Sequence, residues 1–119
     1  MSIGDCILLK EKEIKESVKE GSIGNYWLFD GTLGIRYVGR SDTDLQKRLL
    51  DHVDESPYKY FKFSNAASPE EAYYIECKQY HRYIGTGKLL NEKHPDCPDG
   101  MGHLRCPECY LDCDTEVPN

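Results

Sequence analysis

Ser68-Pro69-Glu70-Glu71 constrains the fold of this chain more than any other segment. A serine at the cap can accept from the backbone N–H three residues on. Proline at the first helical position gives up no needed hydrogen bond, and the glutamate at the third reaches back to the cap. The spacing predicts a helix through AYYIECKQYHRY that ends by Gly85. That helix divides the chain. Aromatic, strand-like runs precede it, whereas after Pro95 the periodicity gives way to Pro, Gly and Cys.

Upstream, Tyr26–Phe29 and Ile35–Gly39 flank the turn pair Asp30-Gly31, the pattern of a hairpin. Ser41 or Asp42 can cap a helix running to about Val53, with Leu45, Leu49 and Val53 turned inward at spacings of four. Tyr58–Phe63 alternates aromatic and basic residues, as a strand with one wet face does. Residues 7–20 read as a charged helix with a thin stripe of Ile7, Leu8, Ile14 and Val18, stopped near Gly21. The class is α/β (α+β), a small sheet of at least three strands with helices packed on it. Three regions follow: an N-terminal helix in 1–21 packed on the core, a domain in 22–92, and a Cys/His-rich tail in 93–119.

A chain of 119 residues has room for one modest core. No apolar run approaches the roughly 18–20 residues needed to span a bilayer, and the start carries no basic leader. A cytoplasmic protein with no membrane partner is expected. The net charge of −6 excludes coating nucleic acid by charge alone. Residues 91–119 hold seven acids against Lys93 and Arg105, a net of −5, so the first 90 residues carry only −1. A phosphate-binding face is compatible with that part.

Phosphodiester hydrolysis needs an activated water, charge stabilisation at phosphorus and help for the leaving oxygen. Arg48 and His52 lie four apart on one predicted helix, hence on one face. Arg48 would clamp a phosphate oxygen through paired hydrogen bonds. Glu76, on the capped helix, would hold a divalent metal against the same phosphate, since Mg2+ commonly takes only one or two protein carboxylates. Tyr26 and Tyr37, on paired strands, would bring phenols to the attacking water.

In this order the set resembles the GIY-YIG nuclease domain, over residues 24–91. That superfamily includes the N-terminal domain of a bacterial excision-repair nuclease, intron homing endonucleases and some restriction enzymes. Its opening G-I-Y and Y-I-G, about ten residues apart, match Gly24-Asn25-Tyr26 and Tyr37-Val38-Gly39, with Asn25 and Val38 as departures. YVGRSDTDLQKRLLDH matches the following helix and supplies Arg48 and His52. Glu71-Ala72-Tyr73-Tyr74-Ile75-Glu76 matches E-A-x-x-x-E, with Glu76 as the metal ligand and Glu71 as the cap. Asn91 is the match for an Asn near the domain's end.

The resemblance implies a three-stranded antiparallel sheet flanked by helices, and an endonuclease acting on DNA in the manner of repair enzymes. One Mg2+ or Mn2+ would sit on Glu76. Tyr26 would act as general base, Arg48 would stabilise the phosphate, and Tyr37 and His52 would orient water or Tyr26. Asn91 would support the geometry. Arg40 and Lys47 are the cations expected to contact nucleic acid, and Lys47, Arg40 or the metal would lower the phenol's pKa. A double-strand cut would need a homodimer or two successive nicks by a monomer. The rival expectation is a nucleic-acid-binding or protein-interaction adaptor of the same fold whose chemistry has lapsed.

Six cysteines without a signal peptide point to metal rather than disulfides. Cys106-Pro107-Glu108-Cys109 is a C-x2-C knuckle, the local half of a structural zinc site. The expected ligands are Cys97, Cys106, Cys109 and Cys113, with His103 or His94 able to replace one. Cys6 and Cys77 read as buried thiols. Zinc would supply the tail's folding energy, and the acidic tail would then offer a surface for a protein partner.

Overall fold

A computed structural model describes residues 6–91, 93–102 and 104–109. In chain order the elements are β1 (Ile7–Leu8), α1 (Glu11–Ser17), β2 (Gly24–Phe29), β3 (Ile35–Ser41), α2 (Leu45–Asp51), β4 (Tyr60–Asn65) and α3 (Pro69–Ile84). They build an α+β fold whose antiparallel sheet runs β1-β4-β2-β3.

The sheet has four strands where three were expected. The added strand comes from the segment read as the start of a helix. Ile7 pairs with Phe61 and Leu8 with Tyr60, and the Leu9 amide donates to the Lys59 carbonyl at 2.9 Å. Edge pairing to β4 claims these apolar residues before a helix can start, so α1 begins only at Glu11.

The hairpin forms as expected. The Asp30 carboxylate accepts from the Thr32 and Gly34 amides at 2.9 and 3.0 Å, replacing backbone bonds that the turn cannot make. Tyr26 then stands opposite Gly39. Alternation along β2 assigns two faces. Tyr26 and Leu28 join Ile14, Val18, Leu45, Leu49 and Phe61 in a buried core under α1 and α2. Each such aliphatic or aromatic side chain contributes about 1.5–3 kcal/mol by leaving water. Asn25 and Trp27 face α3, donating to the Ala72 carbonyl at 2.8 Å and to Gln79 Oε1 at 3.3 Å.

Helix α3 starts where its sequence says. Ser68 Oγ accepts from the Glu71 amide at 3.1 Å, and Glu71 Oε1 accepts from the Ala67 amide at 3.3 Å. Helix α2 is capped by Asp44 instead of Ser41 or Asp42. Asp44 Oδ1 accepts from the Lys47 amide at 3.2 Å and also from Gly21 at 3.1 Å, across the chain. Ser41 instead turns the approach, its Oγ accepting from the Asp44 amide at 2.8 Å.

Beyond α3 the chain doubles back along the free edge of β3. The Leu90 amide donates to the Arg36 carbonyl. The Asn91 side chain bonds both backbone groups of Val38, accepting from its N–H at 3.1 Å and donating to its carbonyl at 2.8 Å. Asn91 thus acts as one residue of an additional strand. The tail then packs Leu104 and Cys106 on Tyr73 and Cys77 of α3, a second and smaller buried cluster. Among the described residues no helix is long and apolar enough to cross a membrane.

Candidate active site

The two motif glycines are demanded by close approach. A Cβ on Gly24 would lie 2.3 Å from the Ser64 carbonyl oxygen, and one on Gly39 would lie 2.5 Å from the ring carbon and hydroxyl of Tyr26. Gly39 therefore leaves the space that the phenol of Tyr26 occupies. Tyr37 stacks beside it with ring centroids 6.1 Å apart.

The Tyr26 hydroxyl lies 2.9 Å from His52 Nε2, and His52 Nδ1 lies 3.1 Å from Glu55 Oε2. A carboxylate only accepts, so Glu55 fixes the proton on Nδ1 and leaves Nε2 as acceptor for the phenol. His52 achieves this from the C-cap of α2, one turn past Arg48. Burial is the main force holding the Tyr26 phenol far above its ordinary pKa, with Tyr37 adding to it and Arg48 opposing.

Across β3, Glu76 projects from α3 beneath Arg40. The Arg40 guanidinium bonds Glu76 Oε1 through Nη1 and Asp42 through Nε (2.8 Å) and Nη2 (3.3 Å). Glu76 is 9% exposed. Burial outweighs the attraction of Arg40 and brings its carboxyl up to about 7. Glu76 Oε2 makes no hydrogen bond among the described residues, so one oxygen is left for another partner.

A cleft of about 540 Å3 joins these groups at the sheet edge, lined by Tyr26, Tyr37, Arg48 and Glu76 together with Asn91, Lys93, His94 and Asp96. Arg48 is exposed, and no carboxylate pairs with its guanidinium among the described residues. Asp42, Glu55, Glu76 and Asp96 set four acids against Arg40, Arg48 and Lys93. Hard oxygen donors in this number suit Mg2+ or Mn2+.

All six residues expected to carry the chemistry lie in or against this cleft: Tyr26, Tyr37, Arg48, Glu76 and Asn91 line it, and His52 backs Tyr26. Asn91 does so as a backbone clamp. The two expected nucleic-acid contacts sit differently. Arg40 is neutralised by Glu76 and Asp42, and Lys47 is an exposed residue of α2 outside the cleft lining. Glu55 escaped sequence reading, because a lone exposed acid after a helix carries no signal until His52 faces it.

A second centre lies where the tail meets α3. His81, His94, Cys106 and Cys109 bring one donor atom each to within 4.8 Å of one another, a group that can hold a metal ion. This set contains Cys106, Cys109 and His94 of the expected ligands and adds His81. Cys97 is held in a disulfide and has no thiolate to offer, whereas Cys6, Cys77, Cys106 and Cys109 remain thiols. Cys113 and His103 lie outside the described residues. His94 does join the knuckle, and His81 enters from α3. Its signal was present, for Tyr73, Cys77 and His81 recur every four residues and form the stripe that receives the tail.

No protein-family model matches the chain, and no solved structure matches it.

Proposed function

We propose that this protein is a metal-dependent endonuclease that hydrolyses phosphodiester bonds in DNA, with a GIY-YIG-like site. One observation carries the reading: a single cleft holds a phenol bonded to an oriented imidazole, a guanidinium with no carboxylate partner among the described residues and a buried carboxylate. Glu76 would hold Mg2+ or Mn2+, and Asp96 lines the same cleft. Bound there, the cation supplies charge neutralisation at the scissile phosphate. Arg48 binds a non-bridging oxygen of the same phosphate. Tyr26 passes its proton to His52 Nε2 and takes one from the attacking water, while Glu55 steadies the imidazolium. Arg48 and the neutralisation of Glu76 both ease that transfer, since the Glu76 charge is among the forces that raise the phenol's pKa. The water oxygen bonds to phosphorus, the P–O bond to the leaving sugar breaks, and solvent protonates the leaving oxygen.

Zinc, in a structural role, is the ion assigned to the His/Cys centre. The cytoplasm is the setting assigned to the protein, and Cys106 and Cys109 are thiols. The adaptor reading is favoured by one observation, the Arg40–Glu76 ion pair, which occupies part of the carboxylate with a protein cation. In that reading the acidic tail meets a protein partner.

Labelled duplex, flapped and supercoiled DNAs incubated with Mn2+ distinguish the two. Wild type is expected to cut, and Arg48→Ala and Glu76→Gln to lose at least about 10²-fold in rate while remaining folded. Equal cutting by all three discards the site, and a silent wild type favours the adaptor.

A further inference from the structure

We propose that His81, His94, Cys106 and Cys109 form a closed tetrahedral zinc site, and that this site builds one wall of the catalytic cleft. The second half of the proposal rests on the nuclease reading; the first does not.

The donor atoms are already arranged for an ion. His81 Nε2 and His94 Nε2 face each other at 3.1 Å, and His94 Nε2 lies 3.5 Å from Cys109 Sγ. Zn–N bonds of about 2.0–2.1 Å and Zn–S bonds of about 2.3 Å place tetrahedral N···N edges near about 3.3 Å and N···S edges near about 3.6 Å. The observed separations approach those edges. His94 Nδ1 donates to the Pro95 carbonyl at 3.0 Å, so its Nε2 carries a bare lone pair aimed at the other donors. Two imidazole nitrogens this close share one proton at most, whereas one cation satisfies both along with two thiolates. Two nitrogen and two sulfur donors in a tetrahedron select zinc, and four protein ligands leave no position for substrate.

Location gives the centre its consequence. His81 belongs to α3, the helix that carries Glu76, and His94 lines the cleft together with Glu76. Asn91 pins one end of that segment to Val38 of β3. His94, three residues on, ties the other end to α3 through the metal. Lys93 lies between the two anchors and Asp96 two residues beyond His94, and both line the cleft. Losing the ion removes the anchor at His94 and leaves the wall between Asn91 and the apolar packing of Leu104 and Cys106 on α3.

The test uses the full-length chain. Elemental analysis is expected to find one zinc per chain, and Co2+ in its place to show the visible bands of a tetrahedral thiolate site. His81→Asn and Cys109→Ser should each weaken zinc binding by about tenfold or more. Zinc removal by a chelator should speed amide exchange across residues 91–97 by about tenfold and leave β2 unchanged, which also shows that the chain stays folded. A zinc-free wild type, or full zinc affinity in His81→Asn, overturns the site. Unchanged exchange at 91–97 after zinc removal overturns its role in the wall. Glu76→Gln is expected to keep both zinc and wall protection. A wild type that passes these measurements yet cuts no DNA therefore sinks the nuclease reading and leaves the zinc centre standing.

Discussion

Gly39 and Glu76 show how much of this site depends on single atoms. A methyl group on Gly39 would occupy the place of the Tyr26 phenol, 2.5 Å from its hydroxyl. Gly39→Ala is expected to displace that ring and cut DNA hydrolysis by about 10²-fold, since a misplacement near 1 Å can cost that much; rates beside circular dichroism check it. Glu76 sets a pH dependence. Its carboxyl titrates near 4.5 when unfolded and is raised to about 7 when folded. The folded state therefore favours the protonated form, so this group's stabilisation is complete below about 4.5 and is lost as pH rises through about 7. Between pH 5 and 8 wild type should lose about 2–3 kcal/mol relative to Glu76→Gln in urea unfolding. Metal affinity should move the opposite way, because protons compete for the carboxylate: Mn2+ binding should strengthen as pH climbs toward 7. Flat profiles in both measurements would mean that Glu76 is ionised throughout.

At the scale of elements, α3 is the part on which most depends. Its Ala72, Glu76 and Gln79 side addresses the sheet, while Tyr73, Cys77 and His81 address the tail. A small shift of this one helix moves both centres. Ser68→Ala removes the cap bond to the Glu71 amide and is expected to cost about 1 kcal/mol of stability, read from denaturant unfolding. A much smaller loss would show that tertiary packing alone holds the first turn. Local chemistry made α3 legible in the sequence, as it did the hairpin, because caps and turn residues act over a few positions. Strand β1 and the Asp44 cap were not legible for the converse reason. Ile7 and Leu8 become a strand only because β4 offers an edge more than fifty residues away, and Asp44 serves Gly21 as well as its own helix.

For the whole molecule, charge limits how DNA would be held by the proposed nuclease. The net charge is −6, and the cleft carries more acids than bases. Arg48 and Lys93 are the cleft cations without a carboxylate partner among the described residues. DNA binding is therefore expected to require a divalent ion, with log K falling against log salt at a slope near about −2 at fixed Mn2+. A slope beyond about −4 would reveal a larger phosphate-binding face elsewhere. The cleft itself is assembled from four places along the chain: β2 and β3, the end of α2, α3, and the segment that returns along β3.

The sequence by itself determined the elements that rest on neighbours: the Asp30 turn, the α3 cap, the inward leucines of α2, and the order of Tyr26, Tyr37, Arg48 and Glu76. It also marked the Cys106–Cys109 knuckle as half of a metal site. Tertiary structure alone decided the partners. His52 was brought to the Tyr26 hydroxyl, Arg40 was drawn to Glu76, and His81 joined the knuckle. Hydrogen bonds and coordination require donor and acceptor within a few ångströms, and residues 13 or 36 positions apart reach that distance only when the sheet and α3 have packed.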